Sequence, residues 1–178
     1  QLKQPRPFSK IEMARRNQAG QMIRFFAESR TGLTPMEPTA LRVRFGAEEI
    51  VVTPDDVLVG QDGVVRVRRV MTGHSRSDDE ESIAAAAFLA ATQQAFPHAI
   101  AELVYLADER AQSISLTEKK MGNRRDSIVR NLGAIRSGQF PTNASSRSCP
   151  NCPALFVCGP VPSGRLQPEI RQVVGEGA

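Results

Sequence analysis

Tryptophan is absent from this chain of 178 residues, and tyrosine occurs once. A surface that grips nucleobases by stacking needs several aromatic faces, so that mode is poorly supplied here. Histidine occurs only at His74 and His98, which excludes a site built from several imidazoles. No run of eighteen apolar residues occurs, and the longest apolar stretch, residues 83–91, is mostly alanine. It is too short to span a bilayer as a helix. The first twenty residues are polar and basic, without the apolar centre of a secretory signal, so a cytoplasmic location is the expectation. No Gly-x4-Gly-Lys-Ser/Thr stretch is present, so this chain carries no loop of that kind to cradle the phosphates of ATP.

What is present fits one domain with a real core. Hydrophobic residues make up 40%, an ordinary globular share. The net charge is +4 and arginine outnumbers lysine. That balance suits a nucleic-acid partner and suits an ordinary solvated surface equally.

Periodicity divides the chain. Residues 11–30 place Ile11, Ala14, Met22, Phe25 and Phe26 on a helical stripe, with Ser9 as the cap and Gly32 beyond the end. Leu41 to Phe45 alternates apolar and basic residues, which predicts a half-buried strand. Glu49 to Thr53 predicts its partner across a turn at Gly46-Ala47. Val57 to Val59, a turn at residues 60–63, and Val64 to Val70 extend this into a meander of three or four strands. Asp78, Asp79, Glu80 and Glu81 are expected to open a helix that ends before Pro97, at the positive end of its dipole. Residues 101–106 and 111–116 predict two more strands, and residues 117–137 a helix closed by Gly138. The class is α/β, a central mixed sheet flanked by helices. The expected divisions are a lead-in over 1–34, an α/β core over 35–138, a cysteine-bearing segment over 139–160 and a tail over 161–178.

All three cysteines, Cys149, Cys152 and Cys158, fall within ten residues. An odd number in one tight cluster does not form a secreted disulfide framework. Thiolates two residues apart can wrap one metal centre, and a third follows five residues later. A closed zinc site or a cubane cluster takes four ligands. The fourth is then His74 or His98, or lies upstream of this chain, or is missing.

The flanks of that segment, Phe140-Pro141 ahead of Cys149-Pro150-Asn151-Cys152 and Cys158, resemble the C-terminal cluster segment of the iron–sulfur PD-(D/E)XK nucleases of the RecB/AddB type. The resemblance extends as a frame over roughly residues 35–160. It implies a restriction-endonuclease-like fold, a 4Fe-4S cluster on the three cysteines with zinc as the alternative, and an upstream fourth cysteine that this chain lacks. In that family two acids hold Mg²⁺ and a lysine on the second strand positions the attacking water. The matching stretch here runs Thr53-Pro54-Asp55-Asp56-Val57, then Asp62-Gly63, then Val65 to Gly73. Asp55 matches the first acid, with Asp56 beside it. The second acid falls on Arg69 and the lysine on Met71. Arginine repels a cation, and methionine neither donates a proton nor holds an anion, so Mg²⁺ is not expected. The family's Gln-x3-Tyr helix falls on alanine and Phe88. Glu37 resembles an acid that often precedes the first strand.

The resemblance thus implies a vestigial nuclease domain that binds DNA or scaffolds a larger protein. Such domains often end UvrD/Rep-type superfamily 1 helicases, so DNA ends or single strands and helicase domains are the implied partners. Arg66, Arg68, Lys119, Lys120, Arg124 and Arg125 are the candidate phosphate contacts, with Arg42, Arg44 and Arg130 in support. One strand arginine is expected to turn inward onto Asp55 or Asp56. The alternatives are a working nuclease using Glu37, Asp55 and Asp62, and a zinc module that contacts only protein. Protein purified without air is expected to be brown and to contain iron and sulfide. Colourless protein with zinc assigns a zinc site instead, and protein with neither leaves the cysteines as remnants.

Overall fold

The computed structural model describes residues 9–139. Helix α1, Lys10–Glu28, starts at a reciprocal cap. Glu12 N donates to Ser9 Oγ at 3.3 Å, and Ser9 N donates to Glu12 Oε2 at 2.6 Å. Two orphan amides of the first turn are thereby satisfied, and the same bonds hold the Glu12 carboxyl below its ordinary range. No residue of α1 is buried. The expected stripe is half-covered from Met22 through Phe26 and open at Ile11.

Strand β1, Thr34–Met36, is an addition to the expected elements. It carries Pro35 and no alternation, so periodicity hides it. Its place explains the proline, since β1 is an edge strand paired only with β4. The boundary expected between residues 34 and 35 therefore falls inside a strand.

Strands β2, Leu41–Phe45, and β3, Glu48–Val52, form the expected hairpin. Gly46 takes a φ of 64° in its two-residue turn, a conformation that glycine adopts without steric cost. The meander itself is corrected. The hairpin is a separate two-stranded sheet. Pro38 and Pro54 bracket it, and neither can donate to a ladder that would continue into the next strand.

The main sheet has the order β1-β4-β5-β6-β7. Its other strands are β4 (Asp56–Val59), β5 (Val65–Met71), β6 (Ile100–Tyr105) and β7 (Arg110–Ser113). All pairs are antiparallel except β5 with β6, which run parallel. A parallel pair needs a crossover, and helix α2, Ile83–Ala95, supplies it. The acids at 79–81 form only a 3-10 turn. The α-helix begins one step later because Ser82 caps it, its Oγ accepting from Ala85 N at 3.1 Å. Helix α3, Glu118–Arg136, closes with Gly138 at a φ of 69°. By compactness the chain divides into residues 1–133 and 134–178. No helix among the described residues is long and apolar enough to cross a membrane.

The two faces of the main sheet differ. On one, Val57, Val67, Ala101, Leu103 and Tyr105 join α2 and the inward residues Leu41, Val43 and Phe45 of the hairpin in a single core. The alanines of α2, with Ala86 and Ala91 fully buried, allow close approach. On the other face, Asp56, Arg68 and Glu102 form a row across β4, β5 and β6. All three are buried, Arg68 to 2% exposure. Arg68 Nη1 lies 3.7 Å from Asp56 Oδ2, and its Nε lies 3.2 Å from Glu102 Oε2. Arg30 adds a contact to Asp56 at 3.2 Å, and Arg66 donates to Glu102 at 2.9 Å. Burial pushes the Arg68 guanidinium below its ordinary range, while Glu102 and Asp56 oppose that shift.

Arg68→Met removes the central cation and leaves two buried carboxylates short of charge. Breaking a buried network of this kind costs about 3–5 kcal/mol, with Arg30 and Arg66 drawing the value toward the lower end. Urea unfolding of the variant checks it, and a change below about 1 kcal/mol would contradict the network's role.

Candidate functional site

The strand–turn–strand unit of β4 and β5 positions the candidate acid. Asp55 N donates to the Arg68 carbonyl at 3.0 Å, which seats Asp55 one step before β4. Its Oδ2 accepts from Val70 N at 2.8 Å, across the ladder. Arg69 alternates with Arg68 along β5 and so points to the opposite face. Its Nε lies 3.5 Å from Asp55 Oδ2, and its Nη1 donates to the Thr53 carbonyl at 3.1 Å. Met71, two residues on, shares that face and is 36% exposed.

The three positions expected to mark the vestigial site therefore gather at the end of β5. The inward arginine is Arg68, 3.7 Å from Asp56, while Arg69 pairs with Asp55 at 3.5 Å from a half-exposed position. This donor set does not fit a divalent cation. A guanidinium already faces the Asp55 carboxylate, and a second positive charge beside it is repelled. Asp62 does not join Asp55, because it lies past the far end of β4. Its Oδ1 accepts from Val64 N at 3.0 Å within its own turn. Glu37 is exposed just past β1. No group of three or more His, Cys, Asp or Glu side chains suited to a metal occurs among the described residues.

A cavity of about 650 Å³ opens beside this site. Arg69, Met71, Thr53, Ser82, Ala84 and Phe88 are among the residues that line it, so β3, β5 and the start of α2 meet around it. Asp79 stands at its edge with its charge engaged. Its Oδ2 accepts from the Tyr105 hydroxyl at 2.9 Å and from Arg76 N at 2.9 Å. Burial, then the bond to Asp79, raises the Tyr105 hydroxyl well above the ordinary tyrosine range.

The candidate phosphate contacts separate into two groups. Arg68 is corrected: it is buried between two acids and presents no charge to solvent. Arg66 is half-buried on Glu102. On α3, Lys120 pairs with Glu81, and Arg124 Nε donates to the Glu81 carbonyl. The Lys120 pair holds the Glu81 carboxyl below its usual range. Arg125 lies over the Phe45 ring at 5.8 Å, and Lys119 is exposed. Of the six, Lys119, Lys120 and Arg125 have exposed side chains.

Three residues escaped the sequence reading. Glu102 had a signal, a single acid inside the apolar run of residues 101–105, and such an acid is buried only with a partner. Tyr105 and Asp79 had none. Asp108 anchors the loop after β5, accepting from Ser75 N and Ser75 Oγ and pairing with His74 Nδ1. These bonds, His74 first, hold its carboxyl down at about 2. His74 is thus engaged at one ring nitrogen, and His98 sits in a turn at a φ of 72°. Cys149, Cys152 and Cys158 lie outside the described residues. No model of a known protein family matches the chain, and no curated protein matches it.

Proposed function

We propose that this chain is a nuclease-like DNA-binding domain with a restriction-endonuclease-like fold, of the iron–sulfur PD-(D/E)XK type, that does not cleave DNA. The observation that carries the reading is the Asp55–Arg69 pair at 3.5 Å. An acid at the start of one strand faces the next strand at the point where a second acid would complete a cation site, and a guanidinium stands there instead. The frame around it supports the reading. An antiparallel β4–β5 pair leads through α2 into β6, parallel to β5.

Without a bound cation the domain has no means of activating water for phosphodiester hydrolysis in the manner of a metal nuclease. Its remaining capacity is to hold the polymer. Exposed Lys119, Lys120 and Arg125 on α3, with Arg42 and Arg44 on the hairpin, supply sequence-independent phosphate contacts. Cys149, Cys152 and Cys158 would hold an iron–sulfur cluster as a structural clasp, with the fourth ligand from elsewhere. The domain would serve as the DNA-holding end of a helicase.

Single-stranded and duplex DNA incubated with Mg²⁺ or Mn²⁺ are expected to stay intact. Binding is expected at low salt and should weaken steeply as salt rises. Metal-dependent cleavage that Asp55→Ala abolishes would overturn the inactive reading. Absence of binding at low salt would overturn the DNA reading and leave a protein partner.

A further inference from the structure

The cavity beside Arg69 has a use that phosphate contact alone does not explain. Its walls are largely apolar, with Val52, Leu103 and Phe88 among them. Its mouth is apolar as well. Val51 and Met71 line it at 51% and 36% exposure. An apolar cavity with a few polar groups on its lining is the kind of place where a small ligand binds. One cation, Arg69, stands on this lining, with the Asp55 carboxylate 3.5 Å from its Nε. The Arg69 guanidinium is half-exposed and engages Thr53 and Asp55 through two of its nitrogens, and its five N–H donors leave others over. Ser82 and Asp79 add polar groups on the α2 side.

We propose that this cavity receives one unstacked nucleobase of a bound single strand, with Arg69 meeting the phosphate beside it. The inference rests on the DNA reading above and adds its substrate form. A nucleotide combines a flat ring system with apolar faces and an anion a few ångströms away. An apolar slot with a half-exposed guanidinium on its lining offers a surface to both parts, and the cavity volume falls within the range of small-molecule sites. Among the described residues every aromatic ring is buried or half-buried, so a pocket of apolar surface takes the place of an open stacking platform. Duplex DNA keeps its bases stacked and paired, so only a single strand or a frayed end can enter without the cost of extrusion.

Ala84 is exposed and lines the cavity, so Ala84→Trp fills the slot without removing a core contact. Anisotropy titrations with a short labelled single strand compare the wild type with this variant, and circular dichroism checks its fold. The variant is expected to bind about tenfold more weakly, the scale of losing one stacked base. An oligonucleotide with abasic positions should show the same loss on the wild type and no further loss on the variant. Equal affinities across all four combinations would overturn the base pocket and leave backbone contact intact. Absence of binding by the wild type at low salt would overturn this inference together with the DNA reading.

Discussion

Arg68 sits in the middle strand of the sheet at 2% exposure, and the rest of the architecture depends on how its charge is met. A guanidinium taken out of water costs several kcal/mol unless opposite charge surrounds it. Here that charge comes from both sides, Asp56 on β4 and Glu102 on β6. The three residues stand in register across antiparallel and parallel ladders. A one-residue slip of the β4–β5 ladder would bring Val57 or Asp55 opposite the cation in place of Asp56, and a slip of the β5–β6 ladder would bring Ala101 or Leu103 in place of Glu102. The ion row therefore acts as a register pin, a role that buried charge fills better than it adds raw stability.

Register then decides the chemistry of the opposite face. Side chains alternate along β5, so fixing Arg68 inward on one face sends Arg69 and Met71 to the other. There Arg69 meets Asp55, and Met71 opens onto the cavity. The two arginines do different work because of one step of the pleat. Arg68 is a structural cation with no access to solvent. Arg69 is half-exposed and bonded to one carboxylate and one carbonyl.

Much of this was legible in the residues. The hairpin at Gly46, the turn at residues 60–63 and the helix ending at Gly138 follow from glycine placement and alternation. The inward arginine followed from three arginines in one strand beside two aspartates. Other features were hidden for identifiable reasons. The short edge strand β1 carries proline and no pattern. The independence of the β2–β3 hairpin follows from two prolines whose consequence is tertiary. The helix after Asp79–Glu81 starts late because a serine cap outcompetes a run of acids, and local charge does not reveal that. Arg68 looked like a surface cation because alternation does not say which face water reaches. Glu102, the one acid in an apolar strand, was the available clue.

If Asp55 is the remnant of a cation site, restoring an acid and a lysine on β5 restores cation binding. The double substitution Arg69→Asp with Met71→Lys tests it most directly. Calorimetric titration with Mg²⁺ or Mn²⁺ should show binding by the folded double variant and none by the wild type. The single Met71→Lys variant should behave as the wild type does, because Arg69 still neutralises Asp55. A folded double variant that binds no more cation than the wild type would contradict the claim.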